Sequence, residues 1–304
     1  LGCQRNWMYL QPIFDSEDIQ RQLPAEAKRF SGVDRLWRKT LDRVAKAPAI
    51  IQFCNDDELL EQWIKSNNEL ERVQKNLSDY LETKRAAFAR FYFLSNDELI
   101  SILSQTKDPN AVQPHLRKCF EAVQSVTMQG AECEMSEMIS AEAEKVPFMT
   151  KLYPKGSVEI WMGEIETMMR RSVRAITEEG ITHYKEMKRG DFVLCHASMV
   201  VLSATQYYWT MEVEESIKAN GTEGVSTYYT KMIEQLKELS MLVRTKLNKL
   251  QSKIMSALIV MEVHARDVVE GLIKSKVGSV LDFEWVSQLR YYWEERPSHL
   301  GGYN

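Results

Sequence analysis

Apolar residues recur every three or four positions over most of the chain, which is the spacing of one buried helix face. One such stretch follows Pro24, a residue favoured in the first turn of a helix. Another begins with the capping-box-like pair Asn55 and Glu58 and reaches about Phe88. The most regular stretch, residues 225–261, keeps the period of about 3.6 residues of an α-helix. We expect it to form one long helix, or two nearly collinear helices, with a single buried face.

A stiff junction is predicted where the apolar residues 91–94 lead directly into a polar helix start. Ser95 and Glu98 have the spacing of a capping box, in which each side chain binds the backbone N–H of the other residue. Leu94 and Leu99 have the spacing of the hydrophobic staple that accompanies such a cap. A helix should therefore begin directly after Ser95, and we expect the residues before it, Phe93 included, to be packed.

The helical pattern is interrupted at residues 127–156, which glycine and proline residues bound on both sides. The segment "EMSEMISAEAEKVPF" fits a helical period poorly, so we predict a short β-hairpin. The fold class is then mainly α, an elongated array of helical bundles with a short β-hairpin insertion. We divide the chain into helical subdomains at 1–126, the hairpin insertion at 127–156, and a long-helix bundle at 157–293.

Composition and charge exclude several classes of function. The chain has 304 residues, of which 44% are hydrophobic, and its 39 basic and 43 acidic residues give a net charge of -4. No global positive field attracts nucleic acid or anionic lipid, so neither is an expected partner. Five cysteines without a C-x-x-C pair are typical of a reduced intracellular protein. No apolar run is long enough to span a bilayer, and because the chain begins with Leu1, we expect a piece of a longer protein.

The search for catalytic chemistry finds almost nothing. The phosphate-loop pattern G-x-x-x-x-G-K-[ST] is absent from the sequence, as are G-x-G-x-x-G, H-E-x-x-H and G-x-S-x-G. Cys195 and His196 are adjacent, but neighbours on a helix do not face each other, so packing roles are favoured over a thiol nucleophile with its base. The other histidines considered, His115, His183 and His264, offer no paired metal ligands. We predict no catalytic, cofactor-binding or metal site in this chain.

Aromatic residues are concentrated in three short segments, "QYYW" at 206–209, "FEW" at 283–285 and "LRYYW" at 289–293. Packing in the core of a helical bundle is the favoured interpretation of these segments. The alternative is a docking surface, because Tyr and Trp are enriched where one large element anchors on another.

Six segments together resemble the linker region of dynein heavy chains, most closely of the axonemal inner-arm type. They are "NWMYLQPIFDSEDIQRQLP" (6–24), "YLETKRAAFARFYFLSNDELISILSQTKDPNAVQPHLRKCFEAV" (80–123), "MISAEAEKVPF" (138–148), "QYYWTMEVEESI" (206–217), "SALIVMEVHARDVVEGLI" (256–273) and "DFEWVSQLRYYW" (282–293). The resemblance covers most of the chain and implies the C-terminal part of the linker, which precedes the first AAA+ module of the motor ring. Residues 294–304 depart from the family pattern, which a divergent tail, an altered splice or an artificial end of the chain would each explain, and we assign them no function.

The resemblance implies a non-catalytic lever that transmits ATP-driven changes of the AAA+ ring into movement along microtubules. ATP and magnesium would be bound elsewhere in the parent chain, which is itself an ATP-hydrolysing motor. The implied partners are the AAA+ ring of the same heavy chain, microtubules, and dynein intermediate and light chains. The implied location is the axoneme of the cilium or flagellum, within the cytoplasm and its cytoskeleton.

Candidate ring-contact or hinge residues come from the junction, the hairpin and the last aromatic segment. They are Phe91, Tyr92, Phe93, Met138, Ile139, Glu144, Tyr291, Tyr292 and Trp293. If the hairpin projects from the lever, its outward side chains should contribute little to folding. The alternative functions are an α-helical scaffold that binds partner proteins, and a helical enzyme that uses Cys195 and His196.

Overall fold

The computed structural model describes residues 2–46, 55–104 and 108–294. Within these ranges, eleven α-helices contain most of the chain and three strands form one small antiparallel sheet. The predicted mainly α fold with a small β insertion is confirmed. The chain divides into two compact units, one formed by residues up to Ala141 and from Thr150 to Met169, the other by Glu142 to Met149 and from Arg170 onward.

The described part of the first unit contains six α-helices ahead of the sheet. They are α1 (Gly2–Phe14), α2 (Glu17–Gln22), α3 (Pro24–Lys46), α4 (Asp57–Ala87), α5 (Asn96–Leu103) and α6 (Gln113–Cys119). Helices α1 and α3 both pack on α4. The face that α4 buries is the one its period predicts, with Leu70, Val73, Leu77 and Leu81 almost inaccessible to solvent.

The start of α4 differs from the prediction by one residue. Asp56, rather than Asn55, is the N-cap, and its carboxylate accepts a hydrogen bond from the backbone N–H of Leu59 at 3.0 Å. Asp and Asn are nearly equivalent as caps, so the pattern alone did not separate them. Ala47 and Pro48 are expected from the sequence to end the helical stretch that follows Pro24, and both lie outside the described residues.

The predicted hairpin is part of a three-stranded sheet. Strands β1 (Ser125–Gln129), β2 (Glu134–Ile139) and β3 (Lys145–Leu152) lie in the order β1-β2-β3, with β1 and β2 antiparallel. The β1–β2 turn uses positive φ at Gly130 and Cys133. Pro147 is compatible with β3 because β3 is an edge strand, where a missing N–H costs no ladder bond. Strand β1 is not evident from the sequence pattern, because it is only five residues long and follows directly on helical segments.

Five α-helices follow the sheet up to residue 294, where the described part of the chain ends. They are α7 (Val158–Glu186), α8 (Arg189–Cys195), α9 (Ser198–Val243), α10 (Lys249–Lys274) and α11 (Phe283–Val286). None of the helices in the described ranges is both long enough and apolar enough to cross a membrane.

The prediction of one long or two collinear helices over residues 225–261 is wrong. Helices α9 and α10 pack against each other in antiparallel directions. Leu239, near the end of α9, lies in one core with Ile254 and Leu258 from the first half of α10. Val225, earlier in α9, lies in another core with Leu272 near the end of α10. The chain therefore turns back between Val243 and Lys249. Asn248 and Gln251 form a capping box that starts α10, and the apolar period continues through the turn because both helices bury a face in the same bundle.

Candidate functional site

The junction at residues 89–93 is a 3₁₀ helix in which one aromatic side chain is buried and two are exposed. Phe91 is fully buried and contacts Phe88 edge-on, with ring centroids 5.0 Å apart. Tyr92 and Phe93 are 61% and 66% exposed. The prediction that Phe93 is packed is therefore wrong, because a turn of three residues cannot point three consecutive side chains inward. Phe91 anchors the junction, and its two neighbours face solvent.

The capping box after this junction is confirmed. Ser95 accepts from the backbone N–H of Glu98, and the Glu98 carboxylate accepts from the N–H of Ser95 at 3.0 Å. Leu94 and Leu99 are both buried, as a hydrophobic staple requires. Glu98 also forms an ion pair with Lys118 of α6. The hydrogen bonds from Lys118 and from Ser95 lower the pKa of Glu98 to about 2.

Exposed Tyr92 is held on one side by α4. Its hydroxyl donates to the carboxylate of Glu82 at 3.2 Å, and the guanidinium of Arg85 lies 5.9 Å from its ring centroid. Arg85 is itself buried and donates to the side-chain oxygen of Asn96 at 2.8 Å. The junction is therefore fixed to the end of α4 and to the start of α5.

The sheet residues have structural contacts of their own. Met138 is buried and Ile139 is half-buried on β2, and the backbone oxygen of Ile139 accepts from the N–H of Gln124 at 2.8 Å. Glu144 lies in the turn before β3, is 9% exposed, and binds the first residue of α9. Its two carboxylate oxygens accept from the backbone N–H of Ser198 at 2.7 Å and from the Ser198 hydroxyl at 2.8 Å.

Glu144 thus acts as a remote cap for α9. Its negative charge lies where the helix exposes unpaired N–H groups and the positive end of its dipole. Glu144 is therefore not one of the outward side chains that are expected to contribute little to folding.

The last aromatic segment is bound to helices of the second unit. The N–H of Tyr291 donates to the buried Thr210 hydroxyl at 3.0 Å, and the Tyr292 hydroxyl donates to Glu214 at 2.6 Å. The guanidinium of Arg174 lies 4.6 Å from the ring centroid of Trp293. Partial burial and the hydrogen bond to Glu214 raise the pKa of Tyr292. Tyr291 and Tyr292 remain 39% and 54% exposed, so the segment is anchored while part of its aromatic surface stays open.

The other two aromatic segments divide between core and surface. Trp209 and Trp285 are buried in one core, with ring centroids 5.4 Å apart. Phe283, by contrast, is 78% exposed, and Leu289 of the last aromatic segment is 74% exposed. The core interpretation therefore holds for Trp209 and Trp285, whereas Phe283 and Leu289 form open apolar surface.

Cys195 and His196 do not face each other as a nucleophile and its base. Cys195 is the last residue of α8, where its thiol donates to the carbonyl of Phe192 at 3.5 Å, and partial burial raises its pKa. The ring of His196 instead contacts His183, with Nε2 and Nδ1 3.1 Å apart. Residue spacing does not predict this pair, because the contact joins the end of α7 to the corner between α8 and α9. Within the described ranges, no three His, Cys, Asp or Glu side chains are arranged to hold a metal ion.

A break in α9 was also missed. Asn220 and Gly221 have non-helical backbone angles, and Gly221 has φ 51° and ψ -132°, a conformation open mainly to glycine. The Thr222 hydroxyl donates to the carbonyl of Val277 at 3.0 Å. Ile217 and Val225, on either side of the break, lie in the same core, so the break is a packed kink.

Comparison with known proteins agrees with the resemblance to axonemal dynein heavy chains. A family profile described as "Dynein heavy chain, N-terminal region 2" matches residues 1–180. "Dynein axonemal heavy chain 1" of Rattus norvegicus is 48% identical over 304 residues, which is 100% of this chain and 7% of the relative. "Dynein axonemal heavy chain 3" of Mus musculus is 41% identical over 303 residues, 99% of this chain and again 7% of the relative.

The chain therefore spans a small fraction of the length of the relatives it matches, 7% in both cases. The profile covers more than half of the chain, and the relatives align with nearly all of it. The chain belongs to the dynein heavy chain family.

Proposed function

We propose that this chain is the C-terminal part of the linker of an axonemal dynein heavy chain of the inner-arm type. In this proposal it is a mechanical lever that has no catalytic site and passes ATP-driven changes of the AAA+ ring to microtubule movement. The observation that carries the proposal is the match of residues 1–180 to the N-terminal region of dynein heavy chains. The absence of a phosphate loop from the sequence supports a part of the motor that works without binding nucleotide.

The described helices have the properties that a lever requires within each unit. Helix α4 has 31 residues, which corresponds to a rod of about 46 Å. It packs along its length on α1 and α3, and α9 packs on α10. Helices braced in this way bend less easily than single helices, because bending would open close-packed cores.

The candidate residues fall into two groups, buried residues that hold the local structure in place and exposed residues that can contact another surface. Phe91, Met138 and Glu144 are buried, so we assign them to holding the junction and the sheet in place. Tyr92 and Phe93 are exposed on an anchored turn, so we propose that they contact the AAA+ ring. Tyr291 and Tyr292 are partly exposed, and we propose them as contacts beside the joint to the ring.

The remaining parts of the proposal concern the whole heavy chain. ATP and magnesium would be bound by its AAA+ modules, and movement would require its binding to microtubules. Dynein intermediate and light chains would associate through the parent complex. The protein would act in the axoneme of a cilium or flagellum as part of the cytoskeleton. An α-helical scaffold for partner proteins is the second candidate function, because Leu281, Phe283 and Leu289 expose apolar surface suited to binding another protein.

Two exposed aromatics provide the test of the lever. In the intact heavy chain, Tyr92→Ala with Phe93→Ala should leave ATP turnover near normal and slow microtubule gliding, because a ring contact is lost while both units stay folded. The matched control is Leu60→Ala with Ile64→Ala, two exposed apolar residues of α4 outside the candidate set. Normal gliding of the aromatic variant, or equal slowing of both variants, would count against a ring contact at this turn.

Nucleotide binding separates the lever from an enzyme. We expect calorimetry of the 304-residue chain with ATP and magnesium to give no binding heat. Binding in the micromolar range would contradict a linker without a nucleotide site.

A further inference from the structure

We propose that His183 and His196 form a proton-operated latch on the corner between α8 and α9. His183 lies in the last turn of α7, and His196 directly follows α8. Nδ1 of His183 and Nε2 of His196 are 3.1 Å apart, which is hydrogen-bond distance for two ring nitrogens. The latch is independent of the ring contacts proposed above, since none of those residues belongs to it.

The chemistry of two imidazoles limits how many protons the pair can hold. A hydrogen bond between two ring nitrogens needs one N–H donor and one unprotonated acceptor. A neutral pair and a singly protonated pair both satisfy this condition. A doubly protonated pair has no acceptor and places two positive charges side by side. The second proton should therefore break the contact, whereas the first should not.

The surroundings of the pair do not supply enough negative charge to hold two protons. The two rings line a pocket of about 400 Å³ whose titratable side chains are Glu179 of α7, Lys145 of β3 and Cys195 of α8, while α9 contributes apolar Val200. Oε1 of Glu179 lies 3.8 Å from Nδ1 of His183, but this side chain is 59% exposed, so solvent screens its charge. Lys145 has the same sign as a protonated histidine. The negative charge of Asp191 of α8 contributes to the raised pKa of the Cys195 thiol.

The position of His196 gives the latch a structural consequence. Its backbone N–H donates to the carbonyl of Phe192 at 3.3 Å, and its ring centroid lies 4.9 Å from that of Phe192, a buried residue. Two residues later, Ser198 begins α9 and is bound by Glu144. Separation of the imidazoles would therefore act on the end of α8 and on the start of α9 together.

The direction of the pH dependence follows from His196. Burial lowers its pKa and the neighbouring His183 lowers it further, while Glu179 opposes the shift. The unfolded chain then binds more protons than the folded chain as pH falls through the ordinary histidine value of about 6.5. Acid should consequently weaken the corner in this range, and stability should return as pH rises.

The test follows the histidine rings by NMR and the backbone by hydrogen exchange, on the 304-residue chain with a metal chelator present. In wild type, the titration midpoint of His196 should lie below about 6.5, and His183→Gln should raise it. After correction for intrinsic rates, amides of residues 192–202 should exchange faster near pH 5.5 than near pH 7.5, because acid weakens the folded corner in this range. His183→Gln should remove most of this acceleration. The control is His264→Gln, a change at an exposed histidine of α10, which should leave it in place.

Two results would overturn the latch. One is a His196 midpoint that His183→Gln does not move, and the other is equal acid acceleration in wild type and in both variants. If His183→Gln fails to fold, the wild-type titration decides the matter. Both ring resonances should then show two inflections because each ring senses the proton on the other, and single inflections on both would contradict the proposal.

Discussion

Phe91 and Phe93 lie two positions apart on one 3₁₀ turn and have opposite environments. The first is fully buried against Phe88, and the second is 66% exposed. The same chemical type therefore holds the turn in place at one position and is presented to solvent at the other. At the scale of single residues, burial distinguishes a support from an available contact.

The two phenylalanines should respond differently to truncation. Phe91→Ala should lower the free energy of unfolding by about 3–5 kcal/mol, because it removes a buried ring and leaves a cavity. Phe93→Ala should change it by less than about 0.5 kcal/mol, as is usual for a surface substitution. Urea unfolding of the two variants provides the comparison. Equal losses would show that Phe93 is packed and that the described junction is wrong.

Glu98 should make part of the free energy of unfolding depend on pH. Its pKa is lowered to about 2 in the folded chain, first by Lys118 and then by Ser95. Its contribution is therefore complete above the unfolded value of about 4.3 and is lost as pH falls towards 2. Urea midpoints measured over this range should fall less steeply for Glu98→Gln than for wild type. Glu121→Gln, at an exposed glutamate, is the control, and identical slopes for all three proteins would contradict the assignment.

At the scale of elements, close approach of helices α7 and α9 depends on a missing side chain. A Cβ added at Gly180 would lie 2.1 Å from Cγ1 of Val200, a fully buried and β-branched residue that cannot easily move. Gly271, in α10, has nothing within 4 Å of such a Cβ. Two glycines with equal helix propensity thus have different reasons to be present.

This contrast predicts opposite effects of one substitution. Gly180→Ala should destabilise the fold by about 1–3 kcal/mol through overpacking. Gly271→Ala should stabilise it by up to about 1 kcal/mol, because alanine is the better helix former. In a Val200→Ala background, Gly180→Ala should cost less, and a double-mutant cycle in thermal unfolding measures the difference. Additive effects of the two changes would show that the helices do not meet at this point.

The turn before β3 should stabilise α9 through one side chain. Glu144→Ala removes both acceptors of Ser198 and should cost about 1–3 kcal/mol, since a partly buried N–H loses its partner. Glu142→Ala, two residues earlier and exposed, should cost less than about 0.5 kcal/mol. Hydrogen exchange at the first turn of α9 gives the local readout. Unchanged protection in Glu144→Ala would refute the remote cap.

Local patterns allowed correct prediction of features that depend on neighbours in sequence. The capping box of Ser95 and Glu98 and the buried face of α4 are of this kind, because three or four residues determine them. The turn between α9 and α10 could not be predicted from the apolar period. This period shows which residues are buried, but it does not show whether the chain continues straight or turns back. Glu144 binds a residue 54 positions away, and the histidine pair closes only after three helices are placed. Such contacts require the tertiary fold, which residue spacing does not supply.

For the whole molecule, the proposed role is to transmit a conformational change and not to catalyse a reaction. The chain belongs to a motor family, carries no phosphate-loop pattern, and consists mainly of packed helices with a few anchored exposed aromatics. If it is the lever, the heavy chain without it should still use ATP, because binding and hydrolysis would occur in other modules of that chain. It should nevertheless lose the means to convert each cycle into displacement, since coupling requires contacts that differ between states.

The most direct test replaces residues 1–293 in the intact heavy chain by a flexible Gly-Ser linker and measures gliding and ATP turnover together. Both proteins are attached to the surface through the same N-terminal tag, so that force must pass through the replaced region. We predict that ATP turnover continues near the normal rate while microtubule gliding is slow or absent, because a flexible chain does not transmit a directed displacement. Gliding at normal velocity by the linker-replaced motor would contradict the role of this chain as the lever.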